Sequence, residues 1–67
     1  MSNWAYASTR RGTVIIMNED ERVLFEDFIS TDSLLASAEI AFASAGWTRQ
    51  GDWEQLASGW QTEVKRT

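Results

Sequence analysis

The carboxylates of Asp and Glu are the side chains of this sequence that could bind a cation or transfer a proton, and they are most closely spaced in its first half. Glu19, Asp20 and Glu21 are consecutive, and Glu26 and Asp27 follow a few residues later. A calcium loop needs oxygen ligands at alternating positions and a glycine at its sharp turn, and no such glycine is present here. The carboxylates therefore belong to a solvated turn, or they form an acidic patch that binds a basic protein surface or mimics nucleic-acid phosphates.

Catalysis and metal binding find little support in the composition. The 67 residues include no His and no Cys, so the usual transition-metal ligands and nucleophiles are absent. No glycine-rich phosphate loop or serine-nucleophile motif is present. Carboxylates alone can perform acid–base chemistry, but they need a cleft, which a chain of this length rarely encloses. We expect a protein that is not an enzyme and that has no metal and no cofactor.

Basic residues are fewer, with six Lys and Arg against ten Asp and Glu and a formal net charge of −4. They include two short clusters: Arg10 with Arg11, and Lys65 with Arg66. If the fold brought these clusters together, Trp4 and Tyr6 would supply a stacking platform for single-stranded nucleic acid. They could equally be turn and edge charges that discourage aggregation between sheets. Because the net acidity opposes attraction to phosphates, nucleic-acid binding is only our third hypothesis.

Residues 31–47 carry the clearest structural signal. Ser30, Thr31 and Asp32 are candidate N-caps, residues 34–45 contain no Gly or Pro, and Gly46 stands where a left-handed residue commonly ends a helix. At 100° per residue, one set of apolar residues shares an arc of roughly 120° that predicts a core-facing stripe. The set is Leu34, Leu35, Ala38, Ala41, Phe42 and Ala45.

The opposite face of this predicted helix has an unusual composition. It carries Ala36, Ile40 and Ala43 among serines, and Glu39 is the only charged residue between Ser33 and Ala45. The simplest interpretation is an exposed face with one apolar residue, which needs no explanation. Since small residues allow a second surface to approach closely, we favour contact with a second copy of the chain, or with another protein, through Ala36, Ile40 and Ala43.

Two strands joined by a turn open the chain. Residues 3–8 alternate between large aromatic and small side chains, which predicts a half-buried strand. Residues 13–17 are an apolar, β-branched run, which predicts a central strand. The turn at Arg10, Arg11 and Gly12 joins the two into a β-hairpin.

Residues 23–29 fit two structures. As a strand, they place Phe25 and Ile29 on one face; as a helix capped by Asn18, they gather Leu24 and Phe25 into a stripe. We favour the strand because it needs only a short polar turn before it.

After the helix, residues 47–50 look like a short strand, and residues 53–56 and 60–65 predict two more, separated by a break that contains Gly59. With residues 51 and 52 as a bulge, so that residues 47–50 and 53–56 count as one strand, the predicted order is β-β-β-α-β-β, a small single α+β domain of residues 1–67. In it, one helix packs across one face of an antiparallel sheet.

Tryptophan is abundant, with four in the chain. Large rings fill small cores and also supply interface hot spots. We expect two or three of the four to pack against the helix. Trp53, flanked by Asp52 and Glu54, is the candidate for an exposed ring and a partner-binding residue, together with Glu19, Asp20 and Glu21.

The combination of Trp4-Ala5-Tyr6, Ala45-Gly46-Trp47 and Val64-Lys65-Arg66 resembles a broad class of small bacterial and phage α+β proteins. This resemblance implies no activity for any residue.

No apolar segment approaches the roughly 18 residues that a bilayer span needs, and the start of the chain lacks the pattern of a signal peptide. We expect a cytoplasmic protein with no membrane partner. Our first hypothesis is a homodimeric protein-binding domain that regulates or inhibits a larger protein, encoded by a phage or mobile element. The alternative is a structural homo-oligomer without an inhibited target.

Overall fold

A computed structural model of the chain describes residues 2–67. Its elements are β1 (Asn3–Ser8), β2 (Thr13–Asn18), β3 (Val23–Phe28), α1 (Leu34–Ser44), β4 (Trp47–Arg49), β5 (Glu54–Leu56) and β6 (Gly59–Arg66). Every strand pair is antiparallel, and the order across the sheet is β3-β2-β1-β6-β4. The predicted α+β class, with one helix on an antiparallel sheet, is confirmed.

Both β4 and β5 pair with the edge of β6 that β1 leaves free. β4 pairs with its C-terminal end and β5 with its N-terminal end. If β4 and β5 are counted as one edge strand with an interruption, the order of elements is β-β-β-α-β-β. The buried Thr62 of β6 lies opposite the interruption, and its hydroxyl donates a 3.0 Å hydrogen bond to the Gly51 carbonyl. This bond satisfies a hydroxyl that would be costly to bury unpaired.

The central hairpin matches the prediction. Ala5 pairs with Ile16 and Ala7 with Val14, and these four side chains are buried. Since side chains alternate across a strand, the large aromatic residues of β1 lie on the other face of the sheet. Alanine on the helix side leaves room for α1 to approach the backbone of β1 closely.

The core lies between α1 and the central strands. It comprises Ala5, Ala7, Val14, Ile16, Ala38, Phe42, Trp47 and Val64. The predicted helix stripe is confirmed: Ala38 and Phe42 are buried, and its other four members pack against the cluster. Of the tryptophans, Trp47 belongs to this core and Trp53 packs against it.

The sequence predicted the C-terminal end of the helix correctly and its N-terminal end wrongly. Gly46 has φ of 91°, and its N–H donates to the Ala43 carbonyl at 3.1 Å, so the predicted left-handed ending is confirmed. The predicted N-caps at Ser30, Thr31 and Asp32 are wrong. The first helical bond is accepted by the Ser33 carbonyl, and the Ser33 side chain makes no capping bond.

Residues 23–28 form a strand, so the favoured interpretation is confirmed and the helical one is wrong. The turn before it is built by Asn18, whose side-chain oxygen accepts from the N–H groups of Asp20, at 2.9 Å, and Arg22, at 3.0 Å. Such bonds are the usual reason that asparagine favours turns. The pairing of β3 with β2 shifts register between Ile16 and Met17.

Candidate functional site

The outer face of α1 lies open. Ala36, Ile40 and Ala43 are all exposed, and the Ile40 side chain keeps 69% of its surface accessible. Glu39, the one charged residue of the helix, is turned to the side, where it pairs with Arg49 and accepts from Trp53. The face is therefore free of charge, as the sequence predicted.

A groove separates α1 from β3. Its volume is about 410 Å³, and its lining includes Phe28, Ile29, Ser37, Ile40, Ala41 and Ser44. It exists because α1 packs mainly over β4, β2 and β1, so the β3 side of the sheet is left without cover. Phe28 and Ile40, the two most exposed large apolar side chains of residues 2–67, both line it.

The strand β3 forms one edge of the sheet, because β2 is the only strand it pairs with among the described residues. Five of its six residues are exposed, and only Phe25 is half-buried. Phe28 keeps 83% of its surface accessible. The Asp27 carboxylate accepts the backbone N–H of Phe28 at 2.9 Å, so one backbone donor at this end of the strand is bound by a side chain.

A second depression lies at the same end of β3. Its volume is about 460 Å³, and it is lined by Arg11, Thr13, Glu26, Asp27 and Phe28. Thr13 is only 7% exposed, and within residues 2–67 its hydroxyl has no hydrogen-bond partner. A buried hydroxyl without a partner carries a cost in free energy.

The acidic turn is as exposed as the sequence suggested. Glu19, Asp20 and Glu21 are all accessible, and Glu21 has φ of 61°. The turn leads directly into β3, so its carboxylates and those of Glu26 and Asp27 belong to one hairpin.

The expectation that Trp53 is exposed is wrong. Its ring is half-buried, with its centroid 6.2 Å from that of Phe42, and its Nε1 donates to Glu39 Oε1 at 2.9 Å. Two more residues separate β4 from β5 than a regular strand beside β6 would need, and this excess lets Trp53 turn towards the helix. Trp53 therefore completes the core and is a poor candidate for binding a partner.

The two basic clusters do not form one site. Residues 10 and 11 follow the C-terminal end of β1, where Ser8 pairs with Gly59. Residues 65 and 66 lie beyond Val64, which pairs with Asn3 at the N-terminal end of β1. The guanidinium of Arg66 also stacks 4.4 Å from the centre of the Trp47 ring, which engages it within the chain. Trp4 and Tyr6 stay half-buried on the face away from the helix.

Three further observations limit the kinds of site to consider. Among residues 2–67, no group of three or more acidic side chains has an arrangement that could hold a metal ion. In the same part of the chain, no helix has the length and apolarity that crossing a membrane requires. The carboxylates that a catalytic interpretation would need lie on exposed turns and on an edge strand.

The free edge of β3 and its two depressions were not predicted as sites. A signal was present in the sequence, since Glu26 and Asp27 interrupt an otherwise apolar strand, and charges of this kind are typical of sheet edges. Comparison of the chain with protein-family models, with curated proteins and with solved structures finds no match.

Proposed function

We propose that this chain is a protein-binding domain without catalytic activity, that it forms a homodimer through the outer face of α1, and that it regulates or inhibits a larger protein. The observation that carries the proposal is Ile40, a highly exposed apolar side chain on a helix face that lacks charge. A cytoplasmic location and an origin in a phage or mobile element belong to the same proposal.

Self-association follows from the shape and composition of the helix face. Ala36, Ile40 and Ala43 lie at i, i+4 and i+7, so they are aligned along one side of α1. Burying most of an isoleucine side chain contributes on the order of 1–2 kcal/mol for each protomer. Identical chains usually pair about a two-fold axis, which places Ile40 close to its symmetry mate. The dimer would also enlarge the apolar core of a very short chain.

The test is the oligomeric state of the parent chain and of Ile40→Glu. We expect sedimentation velocity to show a dimer for the parent and a monomer for the variant, because two glutamates would meet across a desolvated contact. Leu56→Glu is the matched control: it makes the same kind of change at a less exposed residue on β5, 38% accessible, and should remain dimeric. A parent chain that stays monomeric at roughly 500 µM would disprove the dimer.

A second measurement distinguishes a regulatory role from a purely structural one. If the protein is a regulator, the dimer leaves a further surface available for a different protein. If it is a structural homo-oligomer built on head-to-tail contacts, association should continue beyond the dimer as concentration rises, because such contacts do not close on themselves. Light scattering across a concentration series distinguishes a closed dimer from such growth.

A further inference from the structure

The backbone of β3 presents unpaired groups at the edge of the sheet. The N–H of Ile29 donates to the carbonyl of Gly12 at 2.8 Å. Because paired and unpaired residues alternate in an antiparallel ladder, Asp27 directs its backbone groups to β2. Glu26 and Phe28 direct theirs outward, and the Asp27 carboxylate binds the Phe28 N–H in the absence of a neighbouring strand.

Electric charge decides which kind of strand fits this edge. The hairpin that contains β3 carries five of the ten acidic residues of the chain: Glu19, Asp20, Glu21, Glu26 and Asp27. Arg22 is the only basic residue between the first and the last of them. Opposite charges across a strand pair stabilise it, and like charges directly opposite destabilise it.

A second copy of the chain is therefore a poor occupant of this edge. An antiparallel pair of β3 strands about a two-fold axis must use the outward groups of Glu26 and Phe28. The two registers that overlap residues 25–28 most fully place Glu26 opposite Glu26 of the other copy, or Asp27 opposite Asp27 of the other copy. Either arrangement sets carboxylates side by side.

We infer that the free edge of β3 binds an extended segment of a different protein, one that carries arginine side chains and adds to the sheet as a further strand. The incoming backbone would pair with Glu26 and Phe28 and release the Asp27 carboxylate from the Phe28 N–H. One arginine would enter the depression beside Phe28, where two carboxylates, Glu26 and Asp27, and an aromatic ring attract a guanidinium. Arg11 also lines the depression and opposes this attraction, but the two carboxylates outnumber it.

This inference names the partner class of the proposed protein-binding function and does not depend on the homodimer. Strand addition to an exposed edge obtains affinity from main-chain hydrogen bonds and specificity from side-chain pockets. The edge of β3 offers both, since outward backbone groups and a pocket of about 460 Å³ lie at the same place.

The test uses a fluorescein-labelled peptide of alternating arginine and valine, about ten residues long, which is a typical upper length for a strand. We expect saturable binding by fluorescence anisotropy. Glu26→Gln with Asp27→Asn should weaken it about fivefold, since the arginines of the peptide share one face of the strand, so one cross-strand pair with Glu26 and the nearby negative charge of Asp27 are lost. Asn at position 27 keeps an oxygen acceptor for the Phe28 N–H. The matched control, Glu19→Gln with Glu21→Gln, removes the same charge from the turn and should weaken binding only about twofold.

A second peptide separates strand addition from simple charge attraction. N-methylation of alternate backbone nitrogens keeps the charge but removes the donors that would face β3, so binding should fall to the detection limit. No saturable binding by the first peptide, equal losses in the two protein variants, or full binding of the methylated peptide would each overturn the inference.

Measuring how the Ile40→Glu variant binds the peptide tests this inference separately from the proposed homodimer. We expect the Ile40→Glu monomer to bind the peptide as tightly as the parent does, and the variant at positions 26 and 27 to remain dimeric. Loss of peptide binding in Ile40→Glu would overturn the assignment of the two surfaces to different partners.

Discussion

The two edges of the sheet are built in opposite ways. At one edge, β4 and the segment before β5 contact the helix: Trp53 packs on Phe42, and Glu39 binds both Trp53 and Arg49. At the other edge, β3 contributes no buried residue, and only Phe25 of its six residues is half-buried. One short helix can cover only part of a sheet this wide, and it covers the β4 side.

We expect the edge formed by β4 and β5 to contribute to stability and the edge formed by β3 to contribute to binding. At the edge formed by β4 and β5, Trp47 lies in the core and Trp53 packs against it, so substitutions of these rings should act on the free energy of unfolding. The β3 edge places Phe28, Glu26 and Asp27 in solvent, where they add little to that free energy. Changes at β3 should therefore alter association and leave folding intact. Three substitutions test this contrast, in order of decreasing effect.

The largest effect is expected at Gly59, where β6 begins. A Cβ atom at this position would lie 2.1 Å from the carbonyl oxygen of Ala7, a contact that only a shift of the backbone could relieve. Gly59→Ala should lower the free energy of unfolding by about 3 kcal/mol, because overpacking against backbone distorts the central pair of β1 and β6. Urea denaturation followed by tryptophan fluorescence measures the change.

Gly51→Ala is the control for Gly59. A Cβ atom at Gly51 meets nothing within 4 Å, so this substitution should change stability by less than about 1 kcal/mol. Equal losses at the two positions would mean that the close approach of β6 to Ala7 does not limit the side chain at Gly59.

The sequence predicted the helix and the strands better than the contacts that their side chains make. The helix stripe and its end at Gly46 follow from local periodicity and from the conformational freedom of one residue, which need no knowledge of the rest of the chain. Trp53 was placed wrongly because its burial depends on extra residues opposite Thr62, which strand alternation cannot reveal. Ser30, Thr31 and Asp32 are all good N-caps by type, but the helix begins after Ser33, whose carbonyl accepts its first hydrogen bond.

The free edge escaped prediction for a related reason. The sequence shows that residues 23–28 favour a strand, but it does not give the order of strands in the sheet. Whether Glu26 and Asp27 mark an edge depends on β6 pairing with β1, a contact between the two ends of the chain. The two charges within β3 are typical of an edge, but only the strand order shows that no other strand lies beside them.

An intermediate effect is expected at Gly46, which turns the chain from α1 into β4. Its φ of 91° is unfavourable for residues with a Cβ atom, although open space surrounds it. Gly46→Val should cost on the order of 1–2 kcal/mol through backbone strain alone. Gly46→Asn should cost less, because asparagine tolerates the left-handed region. Thermal denaturation by circular dichroism compares the two, and equal melting temperatures for parent and Gly46→Val would contradict the strain.

The smallest effect on stability is expected at the turn that leads into β3. Replacing Glu19, Asp20 and Glu21 with Gln, Asn and Gln removes three charges from exposed side chains, while the turn itself is held by Asn18. The free energy of unfolding should therefore change by less than about 0.5 kcal/mol. Association with the arginine peptide should nevertheless become slower, most clearly at low salt, because long-range attraction falls with the charge of the hairpin. Stopped-flow fluorescence at two ionic strengths measures this rate. If the triple variant instead failed to fold, the carboxylates would be structural, and the division between a stabilising edge and a binding edge would be wrong.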